Sequence, residues 1–486
     1  MILLSVFIPV LWGLVMLLMP QFKNRGTLMA ATGIGLFVSG VLGIAAMANG
    51  GSVTLFSMGK NLDLYFNVDS TGCLFGAVIT LVWLLCGLYA FEYMKHEKEE
   101  KRFFGFYVMV LGVLYGLVFA GNMVTYYLFY ELMTLLSVPL ILHNRSKEAI
   151  MGGMKYMFYS LFGAYMVLFG LFYLNKYAST LNFTAGGALN MAAVAGNEGL
   201  ILWVAFAMIV GFAVKAGMFP LHAWLPTAHP VAPAPASAVM SGIIVKAGVL
   251  GMVRVVYFLV GADFLRGSWV QTVWMTLSLI TVFMGSMLAY REKVLKKRLA
   301  YSTVSQASYI LVGLAAMQPQ ALTGSMLHVV FHAVIKSCLF LFAGAVIYKT
   351  GNTKVDQLKG IGKQMPLTVW FFTFAAAALV GIPPFSGFIS KWYLAAGALE
   401  SGMGVFSWLA PAVLLVSALL TAGYLLPISV NGFLPGADFD YSALKKAEPN
   451  WLMLVPLAIL GLLALVLGLM PGALTEYIAG IVSQVM

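Results

Sequence analysis

Charge is scarce in this sequence. Asp, Glu, Lys and Arg make up 9% of its 486 residues, against about 25% in an ordinary soluble domain. Too few polar groups remain to cover a water-facing surface, which excludes a soluble enzyme, a disordered chain and a collagen-like fibre. Cysteine is nearly absent. The three present, Cys73, Cys86 and Cys338, stand singly in apolar runs, where a thiol acts as a small hydrophobe rather than as part of a disulfide or metal framework. There is no CxxC pair and no haem motif, so no cofactor, redox centre or hydrolytic centre has a signal. The short alternating segments of a membrane β-barrel are missing too.

What the chain does have is hydrophobicity, 61% of residues, in long unbroken runs. About 20 apolar residues cross a bilayer as a helix. Fourteen such spans are predicted, at 2–20, 28–48, 72–94, 103–120, 122–143, 151–174, 200–217 with a broken continuation, 234–260, 267–290, 299–316, 321–348, 366–391 with a break, 405–430 and 450–470. The linkers are too short for a soluble domain. The expected fold is an all-α polytopic membrane protein, one integral membrane domain over 1–486. The first run resembles a signal peptide but lacks a basic n-region and an A-x-A site, so it is read as a span.

The net charge is +11, from 28 Lys+Arg and 17 Asp+Glu. In a soluble protein such a balance suggests nucleic acid; here it follows the loops. The odd-numbered loops hold 19 cations, densest at 95–102 and 291–298, and the even-numbered loops hold three, Lys60, Lys176 and Arg266. By the positive-inside rule the odd loops are cytoplasmic and both termini outside, and no nucleic-acid partner is required.

Six cations remain inside spans, Lys155, Lys215, Lys246, Arg254, Lys336 and Lys391, and one carboxylate, Glu131, lies deep within a span. A charge at the centre of a membrane helix costs about 2.5–3.5 kcal/mol on insertion scales, so such residues normally face a polar interior and mark an ion path. Glu131 is too deep to reach water; it either pairs with a lysine on another helix or relays a proton. Lys215 precedes five prolines within 220–235. Proline removes a backbone donor and clashes with the preceding turn, so the helix must break there, and broken backbone at membrane depth lines a cavity or lies within protein. His222 and His229 lie in the break as relays or structural histidines. Lys246 is near mid-span with Ser237 and Ser241 on neighbouring turns. Arg254 and Lys155 lie closer to span ends and have a snorkelling route, so a structural role competes for both.

His328, His332 and Lys336 are spaced i, i+4, i+8, a line of about 12 Å on one helix face, suited to a proton wire. A metal site is disfavoured, because the H-x3-H pair lacks a carboxylate or cysteine and lysine is a poor ligand. Lys391 follows Gly381, Pro383, Pro384 and Gly387, repeating the pattern at Lys215. About five spans separate the two sites. An odd number reverses membrane orientation and suggests inverted repeats, near 100–260 and 267–430, each with a broken helix.

These residues resemble the antiporter-like subunits of respiratory complex I, of Mrp-type sodium/proton antiporters and of membrane-bound hydrogenases. The resemblance covers nearly the whole chain and rests on the Asn122 to Glu131 helix, GFAVKAGMFPLHAWLPTAHP, SGIIVKAG around Lys246, KKRLAYSTVSQASYI at 296–310, FHAVIKSCLFLFAG and GIPPFSGFISK. Length and motifs are nearest to the D-type Mrp subunit. The resemblance implies a Glu131–Lys215 pair, a central Lys246, a later helix with His332 and Lys336, and an exit at Lys391; some relatives carry glutamate at that exit. It also implies proton translocation, possibly coupled to sodium, beside further antiporter-like and small membrane subunits, in a prokaryotic cytoplasmic membrane. A stand-alone secondary transporter and a quinone-associated redox subunit are the alternatives; the first wants a midplane substrate pocket, the second a redox centre.

Overall fold

A computed structural model describes residues 1–59, 61–440, 442 and 444–486. Lys60, counted above with the even-loop cations, lies outside the described residues. Helices occupy all fourteen apolar runs. Four-residue turns left unnumbered, they are α1 (Ile2–Leu18), α2 (Arg25–Asn49), α3 (Ser70–Tyr93), α4 (Glu100–Val118), α5 (Met123–Ile141) and α6 (Lys147–Tyr177). Then come α7 (Glu198–Ala216), α8 (Leu225–Val231), α9 (Ala234–Val260), α10 (Trp269–Arg291), α11 (Leu295–Ala316) and α12 (Pro319–Thr350). The chain closes with α13 (Pro366–Val380), α14 (Ser386–Leu399), α15 (Val405–Phe433), α16 (Trp451–Leu469) and α17 (Gly472–Val485). Twelve of the described helices are long and apolar enough to cross a membrane; α1 and α13 are shorter apolar helices. A two-stranded antiparallel ribbon, β1 (Ser52–Ser57) and β2 (Asp63–Asn67), fills the α2–α3 loop.

Local chemistry sets the helix ends. The Asn122, Ser146 and Ser268 side chains accept from the first-turn amides of α5, α6 and α10, satisfying donors that a helix start leaves open. Gly217, Gly351 and Gly381 close α7, α12 and α13 in the left-handed conformation, at φ 78°, 72° and 92°, where glycine carries no Cβ penalty. α9 is wholly buried and α11 and α12 nearly so. The outer helices turn large apolar side chains outward, such as Phe158, Phe162, Tyr165, Phe169 and Phe172 on α6. In water that row would be a liability; against lipid it is the expected surface of a multi-span membrane protein.

The loops sort by parity onto two faces. On one, Phe66 bridges Ala120, Asn122 bridges Asn182, Arg266 donates to the Met317 carbonyl at 3.2 Å and Gln318 to that of Glu400 at 3.0 Å. On the other, Lys101 donates to the Met19 carbonyl at 2.9 Å, Arg102 to that of His143, and Val294 bridges Lys354. Even loops thus bond to even loops and odd to odd. α17, which the apolar runs did not predict, buries Ile478, Ile481, Val482 and Val485 and donates from Tyr477 to the Ser70 carbonyl at 2.9 Å, on the even-loop face.

Candidate functional site

Two helices break, where proline and glycine demand it. α7 ends at Gly217, the chain turns through 218–224, and α8 resumes at Leu225. The Trp224 indole donates to the Val214 carbonyl at 2.8 Å, capping an acceptor that the break leaves open. Lys215 sits in the last turn of α7, where the helix dipole favours a cation. It is fully buried and donates to Thr134 Oγ1 at 2.7 Å, Ser160 Oγ at 2.7 Å and the Tyr156 hydroxyl at 3.0 Å. Glu131, one turn from Thr134 on α5, makes no ion pair with it among the described residues; it is half-buried at the edge of the chain, with one carboxylate oxygen buried and unpartnered. The lysine is therefore caged by hydroxyls rather than salt-bridged.

The second break runs from Gly381 to Phe385, between α13 and α14. Lys391 is carried by the second half-helix. Its ammonium reaches back to the Leu379 carbonyl at 2.6 Å and the Val380 carbonyl at 2.9 Å, again at the negative end of a half-helix. Gly387 makes this crossing possible, since a Cβ there would collide with the Ala378 carbonyl.

Lys246 lies between the breaks, on α9, just after a π-helical stretch at Met240–Ile244, a distortion frequent at functional sites. Its ammonium folds back to the Ser241 carbonyl at 2.7 Å and meets His332 Nδ1 at 2.5 Å. Gly242 permits that approach, because a Cβ there would strike Ser337 on α12. The His332 ring stacks near His328 at 5.7 Å between centroids. His328 Nδ1 shares a hydrogen bond with Ser390 Oγ at 2.9 Å and its ring lies 5.6 Å from that of Tyr309. The Lys391 ammonium sits 5.0 Å from the centroid of Tyr309. Lys246, His332, His328, Ser390, Tyr309 and Lys391 thus form one chain of close contacts.

Other expected residues lie elsewhere. Lys336 shares the helix face of His332, but its ammonium donates to the Leu299 carbonyl on α11 at 2.9 Å. Lys155 is half-buried and donates to Thr227 Oγ1 at 3.3 Å, beside the first break. His222 lies in the turn of that break, with Nδ1 buried and unpartnered. His229 is fully buried on α8 and neither ring nitrogen has a hydrogen-bond partner among the described residues. Arg254 does not snorkel. It is 1% exposed and makes a bidentate pair with Asp69, at 2.5 and 2.8 Å, its guanidinium stacked over Phe183 and Phe258 at 4.6 and 4.7 Å. Sequence reading singled out Glu131 as the acid deep within a span and passed over Asp69, the N-cap of α3.

The polar and ring contacts therefore form two groups, one around Lys215 and one from Lys246 to Lys391, rather than one unbroken row. Packing separates them: Gly248 on α9 lies against the Phe212 carbonyl and Lys215 Cβ, so α7 and α9 meet backbone to backbone with no polar bridge. Thr134, Tyr156, Ser160, Tyr309 and Ser390 were all overlooked. A signal existed for two of them, since Tyr156 and Ser160 share one face of an apolar helix at i, i+4.

Known proteins resemble this chain in sequence and in fold. Residues 55–104 match the family described as the chain 5 N-terminus of NADH-ubiquinone oxidoreductase (complex I). The chain is 33% identical over 410 residues to the N-type subunit of NADH-quinone oxidoreductase from Desulforudis audaxviator, covering 81% of this chain and 80% of that one. It is 26% identical to the D-type Na(+)/H(+) antiporter subunit of Alkalihalophilus pseudofirmus, over 100% of this chain and 97% of the relative. Its fold matches a chain of the Mrp complex from Dietzia sp. DQ12-45-1b with a TM-score of 0.84 at 22% identity, over 100% of this chain and 97% of that chain. With residues 120–421 matching its central transmembrane region, the chain belongs to the NADH:quinone oxidoreductase/Mrp antiporter family of membrane proteins.

Proposed function

We propose that this chain moves protons across a membrane through its buried lysines and histidines, as one subunit of a complex of several membrane proteins. The contact between Lys246 and His332 carries the reading. Lys246 Nζ and His332 Nδ1 lie 2.5 Å apart with both residues buried. A lysine ammonium can only donate, and a hydrogen bond needs an acceptor. The contact suits an ammonium with a neutral imidazole, a neutral amine with an imidazolium, or a neutral amine with a neutral imidazole. The first two states hold one extra proton between the partners and the third has released it, and moving among them is the elementary step of a relay. His328, Ser390 and Lys391 extend the relay toward the second break. The Lys215 cage and Glu131 form a second station, joined to the first when α7 and α9 part enough to admit water. The ion-translocating residues in this reading are Glu131, Lys215, Lys246, His328, His332, Lys336 and Lys391, with Lys155, His222, His229 and Arg254 as accessory groups.

The same reading makes residues near 100–260 and 267–430 inverted repeats, with the two broken helices in corresponding places. It sets the odd loops and their 19 cations on the cytoplasmic side of a prokaryotic cell membrane and both termini outside. Kinship with subunits named for NADH-quinone oxidoreductase and for a Na(+)/H(+) antiporter supports partner subunits of membrane type and sodium as a coupled ion.

Lys246→Arg tests it. Arginine keeps the charge but does not deprotonate in a protein. In vesicles carrying the intact complex, proton movement read by an entrapped pH-sensitive dye should be abolished in Lys246→Arg and Lys246→Ala, with the chain still co-purifying with its partners. Wild-type proton movement by the arginine variant would overturn the mechanism.

A further inference from the structure

Arg254 is the one arginine among the six in-span cations, and arginine does not release a proton in a protein. A relay therefore gives no reason for it. Nor does stability, since a buried ion pair is often no more stabilising than apolar side chains of the same volume. The Arg254–Asp69 pair needs another account.

Its neighbours supply one. α9 winds as a π-helix from Arg254 to Val260, and a helix end leaves its last carbonyls without partners inside the helix. Here the α6–α7 loop supplies them. The amides of Thr184, Gly186 and Ala188 donate to the carbonyls of Phe258, Tyr257 and Leu259 at 3.2, 3.1 and 2.8 Å. The same loop pairs with the α4–α5 connection, where Met123 donates to the Leu181 carbonyl and Phe183 to that of Gly121, both at 3.0 Å. That connection pairs with β2: Asn67 donates to the Phe119 carbonyl at 2.8 Å and Gly121 to that of Tyr65 at 2.9 Å. Two residues beyond Asn67, the Asp69 carboxylate returns to Arg254 at 2.5 and 2.8 Å. Three even loops and the end of α9 thus form one closed circuit, and the ion pair closes it.

The circuit joins the start of α5 to the end of α9. A second tie joins the same helices deeper in the bundle. Buried Tyr126 on α5 donates to the Ala247 carbonyl on α9 at 2.5 Å, one residue after Lys246. Arg254 lies eight residues after Lys246, about 12 Å along the helix. The segment Val245–Val253 carries Lys246 between two π-helical stretches, Met240–Ile244 and Arg254–Val260. A π-turn bonds i to i+5 where an α-turn bonds i to i+4. Rewinding either stretch as α-helix would therefore turn Lys246 about the helix axis, away from His332.

We propose that Arg254, Asp69 and Tyr126 are positioning residues: the ion pair clasps the circuit shut, and with the Tyr126 strut it fixes the rotation of α9 at which Lys246 meets His332. The proposal rests on the proton-translocation reading above. It gives the even-loop face a mechanical task, separate from any step that transfers a proton.

The double variant Asp69→Asn with Arg254→Met separates position from stability. Asparagine keeps the α3 cap, methionine keeps the apolar length of the side chain, and no buried charge is left unpaired. A pair that merely stabilised the fold would leave this variant with wild-type transport. A clasp predicts about tenfold slower proton movement in vesicles carrying the intact complex. It also predicts about tenfold faster amide exchange at 181–188, with the chain still co-purifying with its partners. Tyr126→Phe deletes one hydroxyl and should slow transport severalfold while that exchange stays level. Wild-type transport by the double variant, or unchanged exchange at 181–188, overturns the clasp; should that variant fail to assemble, wild-type transport by Tyr126→Phe does so. Lys246→Arg is measured alongside. If it is inactive while the double variant transports at the wild-type rate, only the clasp falls. If Lys246→Arg itself transports, the underlying relay falls, and the task assigned to the clasp falls with it.

Discussion

The two broken helices solve one problem in different ways. Both stop at a left-handed glycine, Gly217 or Gly381, and both bring a lysine to the carbonyl end of the first half-helix. Lys215 belongs to that half-helix and is caged by the hydroxyls of Thr134, Tyr156 and Ser160 from α5 and α6. Lys391 belongs to the half-helix after the break and is held by the Leu379 and Val380 carbonyls. A hydroxyl both donates and accepts, whereas a carbonyl only accepts. The Lys215 cage can turn its hydroxyls to suit either an ammonium or a neutral amine; the Lys391 cap offers acceptors alone, so the amine's lone pair finds no donor there and the ammonium is favoured. The comparison teaches that the first break is built to switch and the second to hold.

Arginine at each site breaks that comparison most sharply. Lys215→Arg should abolish proton movement in the assembled complex, because a switching site loses the neutral form. Lys391→Arg should slow it less completely, since a guanidinium can donate to the same two carbonyls and the proton can still leave by way of His328 and Ser390. Equal loss in both, by the same vesicle assay, would erase the distinction. Next in size is the glycine contrast. Gly387→Ala drives a Cβ into the Ala378 carbonyl, which is backbone and cannot yield, whereas Gly217→Ala meets the end of the Leu225 side chain. Overpacking costs about 1–3 kcal/mol, and a left-handed alanine about 1–2 kcal/mol. Thermal unfolding of the purified complex should drop further for Gly387→Ala than for Gly217→Ala; the reverse order would mean that the second crossing relaxes easily.

A smaller effect is expected at Thr134. Thr134→Val removes one hydroxyl from the cage and leaves a buried ammonium one partner short, a loss of about 1.5–3 kcal/mol for a hydrogen bond to a charged group. Proton movement should slow by about ten- to a hundredfold, with assembly unchanged. Smallest is Glu131→Gln. No ion pair is lost, so the rate should fall only severalfold while thermal stability stays level. A loss as complete as that of Lys215→Arg would make the carboxylate an obligatory relay.

The sequence made the helices legible because each span had to be continuous in apolar character. Even the breaks could be read, since proline and glycine act through the local backbone. The buried ionisable groups were equally visible, as charge deep in a span has few bland explanations. Their partners were not. Asp69 sits at a helix start and looks like an ordinary cap until Arg254, 185 residues later, reaches it. Lys296 reads as one of several loop cations, and only the fold buries it. Thr134 and Ser390 are single hydroxyls among many.

Composition and periodicity alone determined that this is a many-span helical membrane protein, where its spanning helices lie, where two of them break and which charges lie within the apolar runs. The tertiary structure decided which groups touch. It put His332 against Lys246, turned Lys336 away to α11, gave Lys215 hydroxyls instead of Glu131, and kept the Lys215 cage apart from the contacts that run from Lys246 to Lys391. The physical reason is range. Helix formation and insertion depend on residues within a few turns, whereas a hydrogen bond across the bundle depends on how closely two helices approach. That approach is set by small residues such as Gly242, Gly248 and Gly387, whose importance appears only once the opposing backbone is in place.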